Sequence, residues 1–329
     1  MDTDVLVVGA GPTGLMLANQ LARRGVRVRI IDRHAGPARE SRALGVQART
    51  LEIYSHLGIA DQAVALGKRA DGAVLWAEGR RAARVPLGDI GRDVSPYPYL
   101  LVLGQDDNER LLGDALRARG LAVQWNTELV GLAQDTDHVT ATLKHADGTR
   151  TDLTVPWLAG CDGARSSVRE LSGIAFEGAP YLRGRDNLTF EETIPTLRHE
   201  VGTELSFKAC NWYSTYRIHH RRAARFRDRR CFLLGDAAHI HSPVGGQGMN
   251  TGLQDAYNLA WKLALVVSGR ARAALVHSYE DERLPVANHL LKRTDRRADR
   301  GPVRTTRRYA IQSHRDRPSR ASGRSARAR

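Results

Sequence analysis

Few folds accept Gly9-Ala-Gly11-Pro-Thr-Gly14 where this chain has it, between a four-residue apolar run, Val5-Leu-Val-Val8, and an amphipathic stretch from Thr13 to Arg24. The apolar run reads as a strand buried on both faces of a parallel sheet. The stretch after it carries Leu15, Leu17, Ala18, Leu21 and Ala22 at helical spacing, and Gly25 ends it. Val26 to Ile31 is a second strand, closed by Asp32. Strand, turn, helix, turn and strand fill about 30 residues, the size of one βαβ unit. Within the turn, Gly9 permits the sharp exit from the strand, Gly11 lets the backbone approach a pyrophosphate, and Gly14 lets the helix pack closely on the strand. Thr13 opens the helix, whose N-terminus offers N–H groups and the positive end of its dipole to phosphates. Asp32 follows Gly14 by 18 residues and can accept from ribose hydroxyls. The unit predicts a dinucleotide-binding fold. By itself it fits NAD or FAD.

Charge decides between nucleic acid and a small ligand. The net charge is +14, but Arg293 to Arg329 holds 13 Arg and 3 Asp, leaving only +4 for the other 292 residues. The basic character thus belongs to a tail, which has Tyr309 as its single aromatic and little with which to stack bases. No specific nucleic-acid partner is expected. The tail buries too little apolar area to offset ordering entropy, so 293–329 is expected to be disordered. The longest membrane candidate, Leu259 to Val267, is short and broken by Lys262, and the N-terminus is acidic where an export signal is basic. Cys161, Cys210 and Cys231 have neither disulfide nor zinc spacing. A cytoplasmic protein with no membrane partner and no metal is expected.

Downstream, Arg49 to Leu57 and Asp107 to Arg119 read as helices, and Gly72 to Trp76 and Arg81 to Leu87 as short strands. Leu121 to Thr154 alternates as strands, with a turn at Asp147-Gly148. Val155 to Gly160 and Cys231 to Leu234 are buried strands, Ser166 to Leu171 a helix, Thr251 to Ser268 a long helix, and Arg272 to Lys292 another. Ala179 to Arg230 is the least patterned segment, with a possible strand at Trp212 to Ile218 and exposed basic residues around His219-His220.

Two further motifs carry chemistry. Cys161-Asp162-Gly163-Ala-Arg165-Ser166-Ser-Val-Arg169 is a strand-to-helix turn with a capping Ser. Gly235-Asp236-Ala-Ala-His239-Ile-His241-Ser-Pro243-Val-Gly245-Gly246-Gln-Gly248-Met249-Asn250-Thr251 is a strand end, an Asp, and a Gly-rich loop entering a long helix, which presents N–H groups to whatever lies against it. His239 and His241 lack a third ligand nearby and read as structural, and Cys161 reads as a small buried residue. Together with the first turn, these motifs resemble the FAD-dependent aromatic hydroxylases, the class A flavoprotein monooxygenases, closest to those acting on phenols and aromatic polyketides. The similarity extends through Ser41-Arg42-Ala43, Gln105 with Glu109, Asp255 to Leu263, and Tyr279 to Pro285, covering roughly 1–180 and 205–292 in order.

That resemblance implies an α/β fold: a Rossmann-like FAD-binding domain of the GR2 type (three-layer ββα/βαβ) with a second, α+β substrate domain. The FAD-binding part would span 1–178, with substrate-domain strands inserted at about 72–104, and 231–292. The resemblance implies FAD as cofactor, NAD(P)H as transient co-substrate, and O₂ and a small aromatic compound as substrates, with hydroxylation through a flavin C4a-hydroperoxide. Gly9, Gly11, Pro12, Thr13, Gly14, Asp32, Arg33, Arg42, Gln105, Asp162, Gly163, Gly235, Asp236, Gly245, Gly246, Gly248, Met249 and Asn250 would bind the cofactor. Pro243, Gly248 and Asn250 would form the backbone environment of the flavin ring, with no side-chain acid or base. The same frame also serves Baeyer–Villiger oxidation and epoxidation. One departure is internal: Asp162 and Asp236 lie only 74 residues apart, so 179–230 is a shortened, partly deleted substrate domain. That predicts exposed strand edges and apolar surface, and it admits a catalytically impaired flavin-binding remnant.

Overall fold

A computed structural model describes residues 2–38, 43–77, 80–88, 91–180, 189–201, 206–207, 210, 219–241 and 246–295. Arg42, Pro243, Gly245, the possible strand at 212–218 and the tail from 296 onward lie outside these residues.

A five-stranded sheet forms the centre. Its strands are β1 (Val5–Val8), β2 (Val28–Ile31), β3 (Trp157–Gly160), β4 (Arg227–Asp228) and β5 (Cys231–Leu233), in the order β4-β5-β3-β1-β2. β1 runs parallel to both β2 and β3, and β3 parallel to β5; only β4 is antiparallel, on β5. Being covered on both faces, β1 and β3 are buried along their whole length, which is why their sequences are unbroken apolar runs rather than alternating ones.

Four helices matter for the site. α1 (Pro12–Ala22) follows β1 directly and packs against α2 (Gln105–Arg117) and α3 (Gly248–Val267), while α4 (Ser278–Asp295) packs on α3. α3 begins three residues before the expected Thr251, because Gly248, Met249 and Asn250 already form its first turn. The expected second helix is divided into a 3₁₀ turn, Ala273–His277, and α4. Lys262, the charge that interrupts the apolar run of α3, is buried 2.8 Å from Glu282 of α4, so it joins two helices. Among the described residues no helix is long and apolar enough to cross a membrane.

The other sheets are antiparallel. Glu128–Gln134, Val139–Lys144 and Arg150–Val155 form a meander, its last turn at the expected Asp147-Gly148. Phe176–Pro180, His219–Ala223 and His239–Ile240 form a small sheet beside the centre. The reading of His219-His220 as exposed is corrected here: pairing of this strand between two others leaves His220 only 9% exposed. A helix at Phe190–Val201 is also unforeseen, since Pro195 lies inside it. Its start carries a legible signal, however: Thr189 N–H donates to Glu192 at 2.7 Å and Glu192 N–H to Thr189 Oγ1 at 3.3 Å, a capping box. The hairpin Gly72–Ala77 with Arg80–Pro86 leaves Val74 and Val85 exposed.

Candidate cofactor site

The first turn is built by close backbone approach. Gly9 has φ +102°, and a Cβ there would lie 2.4 Å from the Cys161 carbonyl oxygen; a Cβ on Gly14 would lie 1.9 Å from the Gly9 oxygen. These two glycines are required by the protein itself. Gly11 is not. Its φ of −71° suits any residue, and a Cβ there would meet no atom within 4 Å. Leu15 N–H makes the first bond within α1, to Gly11 O at 3.0 Å, so the N–H groups of Thr13 and Gly14 are left for another acceptor. The Thr13 hydroxyl fills the space that a Cβ would need on Gly235 or Gly252, 2.7 Å and 2.4 Å away. The starts of α1 and α3 and the Gly235 turn therefore meet around one threonine.

Asp32 stands at the end of β2. Its carboxylate accepts the N–H of Ala10 at 2.7 Å and of His34 at 2.9 Å, which fixes it over the glycine turn. Arg33 beside it is exposed. Gln105 opens α2 and donates to Glu109 at 2.8 Å, and Glu109 also accepts Ala38 N–H at 3.0 Å. Burial pushes the Glu109 carboxyl above the ordinary range, Asp32 and Asp106 adding to the push against the two hydrogen bonds.

The second motif caps a short helix. Asp162 accepts the Ser166 hydroxyl at 2.6 Å and Val168 N–H at 3.2 Å, and Ser166 in turn accepts Arg169 N–H at 3.0 Å. Burial raises the Asp162 carboxyl, these donors opposing it. Gly163 takes φ +77°. Cys161 is buried, and its thiol is pushed well up by burial and by Asp162 and Asp255, which fits its reading as a small buried residue. Arg169 joins the second motif to the third: its guanidinium donates to Ala164 O at 2.8 Å and Ala237 O at 2.9 Å, and covers the Phe176 ring at 3.9 Å. Arg165 is exposed.

In the third motif, Gly235 turns with φ +56° and Asp236 after it is exposed. Asn250, only 1% exposed, uses its whole amide. It accepts Gln47 N–H at 2.9 Å and the Thr50 hydroxyl at 2.7 Å, and donates to Gly45 O at 2.8 Å and Gly246 O at 2.7 Å. The side chain thus clamps the Gly-rich loop to the 45–50 segment, leaving its backbone for a ligand. Thr251 N–H makes the first α3 bond, to Gln247 O at 2.8 Å, so the N–H groups of Gly248, Met249 and Asn250 precede the helix ladder. Met249 is half-buried and takes Asn108 Nδ2 at 3.3 Å from its sulfur. His239 is a structural histidine, its Nε2 2.7 Å from Asp255, and the described residues contain no cluster suited to a metal. Asp255, Arg283 and Arg169 received no role from the sequence. The available signal was an acid on the buried face of α3, among Gly252, Ala256 and Leu259, where charge is rare unless paired.

Residues 2–183 and 180–294 match the family described as FAD binding domain, in two segments that break at the shortened region. The chain is 39% identical to 6-methylpretetramide 4-monooxygenase of Streptomyces rimosus, over 88% of this chain and 60% of that one. It is 34% identical to pentachlorophenol 4-monooxygenase of Sphingobium chlorophenolicum, over 89% of this chain and 64% of that one. Among solved structures, the flavin-dependent monooxygenase PieE in complex with FAD and substrate superposes with a TM-score of 0.81 at 27% identity, over 90% of this chain and 63% of that one. The chain thus spans less than two thirds of the length of each of these proteins. The first alignment runs over 339 positions, more than the 329 residues of this chain, so that relative holds residues inside the matched span that are missing here.

Proposed function

The chain belongs to the FAD-binding-domain family, within the class A flavoprotein monooxygenases of phenols and aromatic polyketides, and from that premise we propose that it hydroxylates a phenolic or polyketide-type ring with NAD(P)H and O₂. The observation that carries the reading is Gly11. Neither its backbone angles nor its packing calls for glycine, yet it faces open space beside the two N–H groups that start α1. A pyrophosphate laid against that turn accounts for it. The residues present therefore fit FAD.

When bound, FAD supplies the redox chemistry: it takes a hydride from the nicotinamide cofactor and activates O₂ for insertion of one oxygen atom. The protein binds, orients and tunes. Thr13 and Gly14 N–H hold pyrophosphate oxygens at the positive end of α1, and Pro12 fixes the first turn without adding a donor. Asp32 accepts from the adenosine ribose, with Arg33 beside it. By the resemblance, Gln105, with Arg42 outside the described residues, would hold the ribityl-phosphate region, Asp236 would hold the ribityl hydroxyls, and Asp162-Gly163 would contribute to FAD and nicotinamide-cofactor binding. By the same resemblance, Pro243 and Gly245, which lie outside the described residues, would line the flavin ring, and Gly246 would bind the cofactor beside them. The N–H groups of Gly248, Met249 and Asn250, at the positive end of the α3 dipole, would face the flavin ring and favour negative charge on it. On this assignment 1–178 and 231–292 are the two parts of the FAD-binding domain. The buried free thiols of Cys161 and Cys231 suit a reducing cytoplasm.

The shortened 179–230 segment supports a second reading, a flavin-binding remnant without turnover. One experiment separates the two. Purified protein is tested for a flavin spectrum, then phenols and aromatic polyketides are screened for stimulated NAD(P)H oxidation with product analysis. Hydroxylated product supports the first reading. Yellow protein whose NAD(P)H oxidation no compound stimulates supports the second, and protein that takes up no FAD overturns both.

A further inference from the structure

Asp255 is fully buried in the first half of α3, and nothing in the proposed chemistry uses it. Three donors from three different elements converge on its two oxygens. Gly235 N–H and His239 Nε2 share one oxygen, at 3.1 and 2.7 Å, and Arg283 Nε from α4 takes the other at 2.6 Å. Arg283 also reaches Thr251 O at 3.4 Å. His239 is held flat by the Phe226 ring, 5.7 Å away and 27° from parallel. A buried ion pair is a weak source of stability, because desolvation consumes most of its attraction and apolar residues of equal volume do as well. What apolar residues cannot do is hold the Gly235 N–H at a chosen place. Gly235 needs holding: its left-handed φ and its contact with Thr13 set where Asp236 stands relative to the glycine turn of α1.

We propose that Asp255, oriented by His239 and Arg283, is a positioning residue that fixes the Gly235–Asp236 turn to the flavin-facing start of α3 and so sets FAD affinity. The inference rests on the FAD reading above. Burial works against the charged carboxylate, and the His239 and Arg283 contacts outweigh it and keep it below the ordinary range. The anion is thus the form that holds both oxygens' donors. Asn in its place keeps the shape but offers one acceptor, so either Arg283 or the Gly235–His239 pair is left opposite an NH₂ group.

The test uses full-length apoprotein, titrated with FAD and followed by flavin fluorescence, visible circular dichroism of the bound flavin and apoprotein Tm. Asp255→Asn is expected to weaken FAD binding about tenfold or more, the loss that goes with one or two unmatched buried donors, and to alter the visible dichroism. His239→Leu is expected to do the same. His239→Gln, which keeps a donor toward the same oxygen, is expected to stay near wild type. Tyr279→Phe is the stability control: it removes the buried bond from Tyr279 OH to Leu233 O (2.8 Å), and is expected to lower Tm without moving affinity or dichroism. Wild-type affinity and dichroism in Asp255→Asn and His239→Leu would overturn the proposal, as would losses no larger than those of Tyr279→Phe at equal Tm. If Asp255→Asn does not fold, equal FAD affinity in His239→Leu and His239→Gln overturns it. Wild-type protein that binds no FAD refutes the FAD reading instead.

Discussion

Two glycines three positions apart in one turn should fail in opposite ways. At Gly14 an added methyl would sit 1.9 Å from the Gly9 carbonyl oxygen and 3.2 Å from the Cys161 Cβ. Both neighbours belong to rigid backbone segments, so α1 must shift off β1 and β3. Overpacking of that kind costs about 1–3 kcal/mol, and more where backbone cannot yield. At roughly 2–4 °C per kcal/mol for a chain approaching this size, Gly14→Ala should lower the apoprotein Tm by several degrees. At Gly11 the methyl meets nothing, and φ −71° is open to alanine. Alanine removes unfolded-state freedom, a gain of about 0.4–1 kcal/mol, against a comparable loss of its fitness as an N-cap. Apoprotein stability should therefore change by less than about 1 kcal/mol. The methyl would, however, stand where a pyrophosphate must approach, so FAD affinity should fall sharply. Thermal melts of apoprotein and FAD titrations by fluorescence quenching measure the two effects separately. A Gly11→Ala protein that binds FAD like wild type would refute the reading of that open space.

The clamp at Asn250 should be as sensitive: Asn250→Ala strands two carbonyls, an N–H and a hydroxyl, costing roughly 2–4 kcal/mol in urea melts. Arg169→Met, which loses two charged donors to the Ala164 and Ala237 carbonyls but keeps a stem over Phe176, should cost about 2–4 kcal/mol by the same measurement. Glu109 has a folded-state carboxyl raised by burial, so its charged form opposes folding at neutral pH. Apoprotein stability should then rise as pH falls through that raised value toward the ordinary carboxylate range, and Glu109→Gln should raise Tm at pH 7 and flatten that part of the profile.

The fold was legible wherever local pattern and tertiary role agree. Val5 to Val8 had to be a doubly covered strand, and Gly9 and Gly14 had to be glycines, because one backbone passes another there. The meander was legible from its alternation and from Asp147-Gly148. The site was legible as three turns, since each combines a strand end with glycines and a helix start. Its connections were not. Nothing about Asp255 says that its partners are 16 residues back and 28 residues ahead, and nothing about Arg169 says that it reaches Ala237. Such contacts depend on which helices cross, a property of packing rather than of spacing. His219-His220 misled for the same reason: a polar, basic strand becomes buried only because two other strands flank it.

The networks that hold the three turns have a common property that bears on the shortened segment. Asn250 draws its partners from residues 45–50 and 246, Arg169 from 164, 176 and 237, and Asp255 from 235, 239 and 283. Thr13 packs on 235 and 252, and Asp32 on 10 and 34. Each of these partners lies before 180 or after 230, away from residues 180–183, where the two segments of the family match meet. None of the hydrogen bonds that shape the three turns therefore depends on that stretch. On the reading proposed above, FAD binding and ring hydroxylation are therefore separable, and FAD titration and product analysis test them independently.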